Sequence, residues 1–313
     1  MGELVFQQHS EGFNAMRTAQ SPIGSRHLIS ALLIIPALLP LVLFILLPAI
    51  QSVFMSVQTV TLGLPSEYVG LEHYANMIED DVFHTAFWHT IMFSFTSVAG
   101  EVFFGLLAAV LMSTRFKLEK FYISLIMVPY AVSEVVAIII WKYMLEPDVG
   151  IINYVLVAFM GLPQIEWITY PVQTWAVIIL LRVWLRFPFA FLIIYASMVG
   201  IPDELYESAY IDGANNLQAL IHVSFPLVTP AIMVATIFGF VFAFRNFATV
   251  WILTTGGPIH RTELLSTLLY KEAFQVWHFG AASAIAIVMT ALTFLIAAYY
   301  LRNMYRQMFL SRA

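Results

Sequence analysis

The chain has 313 residues, 61% hydrophobic and 11% charged, with a formal net charge of −5; ordinary soluble domains carry roughly a quarter charged residues. A soluble core does not absorb that much apolar surface, so a membrane-embedded protein is expected. Cysteine is absent, which removes disulfides and thiolate metal sites.

Residues 1–27, rich in Gln, Ser and isolated polar positions, read as a cytoplasmic tail, and residues 28–313 as one transmembrane domain. No Lys, Arg, Asp or Glu occurs from His27 to Ser66 or from Ala273 to Leu301, and each run exceeds the ~20 residues a helix needs to cross the hydrocarbon. Six spans are predicted, near 29–54, 87–112, 121–145, 173–198, 228–253 and 279–301. They are expected as helices: backbone groups find no water in the bilayer, and the runs are too long for barrel strands. The first run is too long for a secretion signal and no small-x-small site follows it, so it is expected to be a retained helix. The fold class is therefore an all-α, multi-pass membrane protein with six transmembrane helices.

Basic residues in short loops set the orientation. Arg17 and Arg26 precede the first span, Arg115, Lys117 and Lys120 join the second and third, and Arg302, Arg306 and Arg312 follow the sixth. These places are assigned to the cytoplasm, together with both termini. The loops at 58–86 and 146–172 carry Glu67, Glu72, Glu79, Asp80 and Asp81, and Glu146, Asp148 and Glu166, without a Lys or Arg, and are assigned outside. Residues 199–227 carry only acids, yet parity places them inside, as suits a loop reserved for a protein partner.

That loop has an internal plan. Gly200 and Pro202 end the fourth span, Asp203 is placed to cap a new helix, and Glu204 and Glu207 are expected in its first turn, where the helix dipole favours carboxylates. Asp212-Gly213 reads as a turn. Leu217, Leu220 and Ile221 supply a second apolar face before Pro226. The prediction is a helix–turn–helix elbow over 203–226, between the fourth and fifth spans.

Glu207-Ser208-Ala209, three residues, Gly213, nine residues, then Val223-Ser224-Phe225-Pro226 resembles the Glu-Ala-Ala signature loop of binding-protein-dependent ABC importer permeases. Ser208 stands for the usual Ala, and Val223 and Phe225 for Ile and Leu. In that family the elbow sits in a cleft of the ATPase subunit and moves as a lever when two ATPases close. The resemblance assigns ATPase coupling to Asp203, Glu204, Glu207, Ser208, Ala209, Asp212, Gly213 and Pro226, with Glu207 touching the ATPase, Gly213 permitting the bend and Pro226 restarting the membrane helix. Further matches run along the chain: Gly70-Leu71-Glu72-His73-Tyr74 with Asp81, Phe83 and Thr90; Val128-Pro129; Trp141-Lys142-Tyr143 with Pro147, Gly150 and Asn153; and Leu253-Thr254-Thr255-Gly256-Gly257-Pro258 with Thr262 and Tyr270. These are similar to the carbohydrate group of such permeases, which includes those for maltose, trehalose, polyols and glycerol phosphates. The resemblance implies a second permease chain of different sequence, two ATPase copies, an extracytoplasmic solute-binding protein and a location in the bacterial cytoplasmic membrane, surrounded by lipid. No nucleic-acid partner is expected.

Ionisable residues inside spans are costly and need a partner or water. Glu101, Glu134, Arg182, Arg186 and Arg245 are so placed. Counting ~1.5 Å per residue puts Glu134 and Arg186 both near mid-bilayer, at depths that allow pairing, and Arg182 and Arg245 about 10 Å below the outer surface. Arg182 and Arg186, four apart, share a helix face. Glu101 and Glu134 are candidates for intramembrane pairing. Arg182, Trp184, Arg186, Phe187, Phe242, Arg245, Asn246 and Thr249 are candidates for the cargo path, since sugars combine hydroxyls with C–H faces that lie on aromatic rings; anionic cargo would favour Arg182 and Arg245.

Absences narrow the chemistry. No Gly-Lys pair exists for a phosphate-binding loop, the eight histidines include no His-x-x-x-His pair, and no nucleophile–base set stands out. The chain is expected to bind no metal or cofactor and to be no enzyme, with ATP and Mg held by the partner ATPase. The rival readings are an ion-coupled secondary transporter or channel built on Glu134 and Arg186, an importer of a glycerol-phosphate-type anion, and a scaffold without transport.

Overall fold

A computed structural model describes residues 35–36, 38–114 and 117–310. The 1–27 tail, with Arg17 and Arg26, lies outside the described residues, as do Arg115 and Arg312. The chain divides into residues 1–54 and 55–313. The first unit contributes α1 (Leu38–Met55), an apolar helix with one wide π turn at Val42–Leu46.

The second unit opens with a small antiparallel hairpin, β1 (Gln58–Thr59) and β2 (Glu67–Tyr68), in register Gln58↔Tyr68. It continues through α2 (Glu72–Glu79), α3 (Asp81–Met112), α4 (Glu119–Ala131), α5 (Glu134–Met144), α6 (Ile151–Met160), α7 (Pro171–Val199) and α8 (Asp203–Ile211). A long helix α9 (Asn216–Phe244) follows, then α10 (Ala248–Thr254), α11 (Leu265–Phe274) and α12 (Phe279–Leu310). Five helices, α1, α3, α7, α9 and α12, are long and apolar enough to cross a membrane, and the bent pair α4/α5 is a sixth if its two helices are counted as one span. The helical, multi-span architecture holds, with five or six spans according to how the bent pair is counted, and the hairpin is a small addition to it.

The core is the line where α3 meets α7, with α9 packed across both. Gly100 and Gly105 bring the first two close: a Cβ on Gly105 would lie 2.7 Å from the Ala190 Cβ and 2.8 Å from the Phe191 backbone nitrogen. Phe93, Ile178, Leu181 and Phe244 fill the centre, and Ala109, Phe191, Ile194 and Val228 fill the end toward α8. A third cluster, with Met77, Phe83, Leu265 and Ile285, joins α2, α3, α11 and α12. The many large apolar side chains left on the surface, such as Phe103, Phe121, Leu180 and Phe294, suit a hydrocarbon surround.

The structure corrects several expectations. The third span is not one rod: α4 and α5 meet at 91° across Val132 and Ser133. Pro129 removes a helical hydrogen bond from the last turn of α4, and Val132 is extended. The fifth span is also broken, at Arg245–Phe247, so Phe242, Asn246 and Thr249 do not lie on one continuous helix. Pro226 does not restart a helix, because α9 already runs from Asn216. The π turn Leu220–Ser224, in which the Phe225 N–H donates to the Leu220 carbonyl, widens the helix one residue before the proline ring. The loop at 146–172 contains α6, capped at its end by Gly161 with φ +64°.

Gly105→Ala should cost about 1–3 kcal/mol, because the added methyl meets backbone that cannot yield. Gly200→Ala, whose Cβ would meet nothing nearer than 3.5 Å, should change stability by less than about 0.5 kcal/mol. Thermal unfolding of the purified variants checks both.

Candidate functional site

The elbow between α7 and α9 is built from local rules. Pro202 occupies the N-cap of α8 with no side-chain cap, so Asp203 is the first helical residue and not the cap. Asp203 and Glu204 lie in the first turn, where the dipole stabilises them, while Glu207 falls in the second turn rather than the first. At the far end the Asp212 N–H donates to the Ser208 carbonyl at 3.0 Å, and Gly213 turns the chain with φ +88°. Asn215 then caps α9 reciprocally: its Oδ1 accepts from the Gln218 N–H at 2.9 Å and its own N–H donates to Gln218 Oε1 at 2.8 Å.

The elbow's surface is chemically distinctive. Asp203, Glu204, Glu207 and Asp212 are exposed, and none forms an ion pair with another described residue. Leu205, Tyr210, Ile211, Leu217 and Ile221 are exposed between them. Ser208 and Pro226 are exposed and Ala209 is half-buried. The elbow thus presents an acidic, partly apolar surface without a Lys or Arg.

Inside the bundle the charges meet in pairs. Arg182 on α7 is 1% exposed, and its Nε donates to Glu101 Oε1 of α3 at 2.9 Å. Glu101 reaches it because Gly239 of α9 leaves room: a Cβ there would stand 3.3 Å from Glu101 Oε2. One turn further along α7, the half-buried Arg186 Nη2 donates to Glu134 Oε2 at 2.6 Å. The kink that ends α4 is what delivers Glu134 to this point, at the first position of α5. Glu134 Oε1 also accepts from Asn246 Nδ2 at 3.3 Å, Asn246 Nδ2 reaches Thr249 Oγ1 at 3.1 Å, and Ser266 Oγ donates to the Asn246 carbonyl at 2.5 Å. The break in the fifth span is thus filled by a polar network joining α5, α7, α10 and α11.

The cargo-path candidates separate into two groups. Arg182, Asn246 and Thr249 are buried within the chain, and Trp184 packs against Trp141 with ring centroids 5.6 Å apart. Arg186, Phe187 and Phe242 remain accessible, with the Arg186 guanidinium 5.3 Å from the Phe242 ring centre. Tyr130, Phe189 and Phe238 complete that aromatic face, with Phe189 centred 6.0 Å from Tyr130 and 5.9 Å from Phe238. Sequence reasoning did not select these three, although the four-residue spacing of Phe238 and Phe242 was a signal. Arg245 is exposed at the helix break and forms no hydrogen bond or ion pair with a described residue.

Two further polar centres hold the loop regions. Asn153 is buried, donating to the Pro147 and Ile165 carbonyls and accepting from Trp167 Nε1 at 3.1 Å, so it organises the 146–172 loop. In the Thr254–Leu264 turn, the buried Glu263 accepts from Lys271 Nζ at 2.5 Å and pairs with His260 Nδ1 at 2.9 Å. No group of three or more His, Asp or Glu suited to a metal occurs among the described residues.

The described residues form a helical bundle with membrane-length apolar spans and an exposed acidic elbow between α7 and α9. Residues 101–306 match the family model described as binding-protein-dependent transport system inner membrane component. The chain belongs to this family. It is 32% identical over 282 residues to the sulfoquinovosyl glycerol transport system permease protein of Agrobacterium fabrum, covering 90% of this chain and 91% of that one. It is 29% identical to the trehalose/maltose transport system permease protein of Thermococcus litoralis (87% and 92% covered), and 29% identical to an sn-glycerol-3-phosphate transport system permease protein of Escherichia coli (91% and 97%). Its fold is similar to a chain of a bacterial alginate ABC transporter crystallised with an alginate-loaded periplasmic protein, at TM-score 0.79 and 20% identity over 88% of this chain and 93% of the other. The protein is an inner-membrane permease subunit of an ABC importer and not an enzyme; a partner permease, an ATPase that hydrolyses ATP and a solute-binding protein complete such a system.

Removing one member of a buried ion pair strands the other. Arg182→Met should cost about 3–5 kcal/mol, and Glu101→Met combined with Arg182→Met should recover most of it. Thermal unfolding in detergent measures the difference, and additive losses would contradict the pairing.

Proposed function

We propose that this chain forms half of the translocation pathway for a sugar, oligosaccharide or related polyol in the bacterial cytoplasmic membrane. The second half comes from a different permease chain, and an extracytoplasmic binding protein delivers the cargo. Two copies of an ATPase subunit, which hold ATP and Mg, dock beneath, with both termini of this chain on the same, cytoplasmic side. The observation that carries the reading is the exposed elbow from Asp203 to Pro226, whose four carboxylates form no ion pair with a described residue.

ATP-driven closure of the ATPases displaces α8, and α9, capped directly after the Gly213 turn, carries the displacement into the membrane. The two packed arrangements of the helices then open the passage to opposite sides, and the ATPase shifts the population between them. Arg186, Phe242 and Phe187, beside the aromatic face of Tyr130, Phe189 and Phe238, offer a guanidinium edge and ring faces to a polyhydroxylated cargo. The family assignment favours this drive over ion coupling at Glu134 and Arg186, which are already engaged with each other.

One observation supports an anionic cargo as a second reading. Arg245 is exposed at the helix break without a hydrogen-bond or ion-pair partner among the described residues, and two of the named relatives belong to sulfoquinovosyl glycerol and glycerol-3-phosphate systems.

Glu207→Lys should reduce uptake by at least tenfold in cells while membrane insertion is unchanged, because it reverses a charge facing the ATPase. Gly213→Val should do the same by straining a backbone at φ +88°. The deciding experiment is purification of the chain with its partners: ATPase turnover that rises with loaded binding protein supports the reading. Uptake that follows an ion gradient, with no ATPase attached, overturns it. Comparing neutral with phosphorylated or sulfonated solutes in Arg245→Gln separates the two cargo classes.

A further inference from the structure

A lever with a glycine joint transmits force only if something braces the joint. Between α8 and α9 the chain passes through Asp212–Asn215, where Gly213 has φ +88° and a Cβ would meet nothing within 4 Å. Backbone hydrogen bonds from the Gly213 and Ala214 N–H groups to the Tyr210 and Ala209 carbonyls tie the turn to the end of α8, but these bonds do not reach α9. No residue of α8 is fully buried. Its inward-facing side chains are Tyr206 and Ala209, both partly covered.

Tyr206 crosses the gap. Its ring packs against the buried cluster that includes Met198, Ile201 and Val228, and its hydroxyl lies 2.8 Å from Ser224 Oγ. Among the described residues this is the single hydrogen bond between α8 and α9. Ser224 is 4% exposed and ends the π turn Leu220–Ser224. Other hydroxyls on the same helix behave differently: Thr229 and Thr236 donate back to the Phe225 and Ile232 carbonyls, four residues earlier. The Ser224 hydroxyl instead faces α8, and a π turn in the middle of a helix is a frequent mark of a functional position.

We propose that Tyr206 and Ser224 are positioning residues that lock α8 and α9 into one rigid body, so that a push on the elbow turns the membrane helix instead of bending the Gly213 joint. This rests on the coupling role proposed above. Neither residue needs to touch the ATPase. Losing one buried hydrogen bond should lower the ratio of braced to bent elbow by roughly fivefold.

The absence of native cysteine makes the test direct. Ile211→Cys on α8 and Leu227→Cys on α9, both exposed, carry paired spin labels in the full chain, assembled with cysteine-free partner subunits. The distance distribution is read without nucleotide and with ATP, Mg and vanadate. The parent should give one narrow distance in both states. Tyr206→Phe and Ser224→Ala, which keep the ring and the helix, should each broaden the distribution about twofold. Combining them should broaden it no further, since they remove one shared bond, and Ser224→Thr should restore the narrow form. An unchanged width in Tyr206→Phe, or additive broadening in the double variant, overturns the brace. Loss of the ATPase from the parent assembly would instead refute the coupling role, and the nucleotide-free widths would still decide on the brace.

Discussion

A guanidinium or carboxylate inside a bilayer must be neutralised or wetted, and this requirement organises the centre of the molecule. Arg182 and Arg186 lie one turn apart on α7, and each needs a carboxylate from a different helix. Glu101 arrives from α3 through the space left by Gly239, and Glu134 arrives from α5 because α4 and α5 meet at 91°. The second pair draws in Asn246, which sits in the gap of the fifth span, donates to Glu134 and has its own carbonyl satisfied by Ser266 Oγ. Charge compensation and the two broken helices are therefore one arrangement. Buried ion pairs are often no more stabilising than apolar packing, so their effect here is to fix which helix faces meet.

The elbow follows the opposite logic. Its four carboxylates form no ion pair with a described residue; they are exposed to solvent, and the helix dipole favours two of them. Such a surface gives the chain little internal stability. It is free to meet a partner, and the unpaired charge favours a basic one. The same contrast separates Arg182, paired and enclosed, from Arg245, exposed and unpaired among the described residues. The first serves the architecture of the bundle, and the second is available to something outside the chain.

Much of this was legible in the residues. The apolar runs placed the spans, since a bilayer imposes a length and an absence of charge. The spacing from Glu207 through Gly213 to Pro226 located the elbow, and the depths of Glu134 and Arg186 allowed their pairing. The breaks were less visible. Hydropathy does not distinguish a straight span from a bent one, and Pro129 alone does not fix an angle, because prolines at 188 and 230 sit inside helices that continue. Pro226 misled for the same reason: a π turn accommodated it. The partner of Glu101 was open because two arginines on the same face of α7 lay within reach of two acids.

What the sequence alone determined is the solvent and the plan: a helical membrane chain of six spans with an acidic cytoplasm-assigned elbow, because composition and period act locally along the chain. Only the tertiary structure decided which charges meet, where the third and fifth spans bend, and that Tyr206 reaches Ser224. Those outcomes depend on the distance between helices far apart in the chain, set by small residues such as Gly105 and Gly239, and no local pattern records that distance.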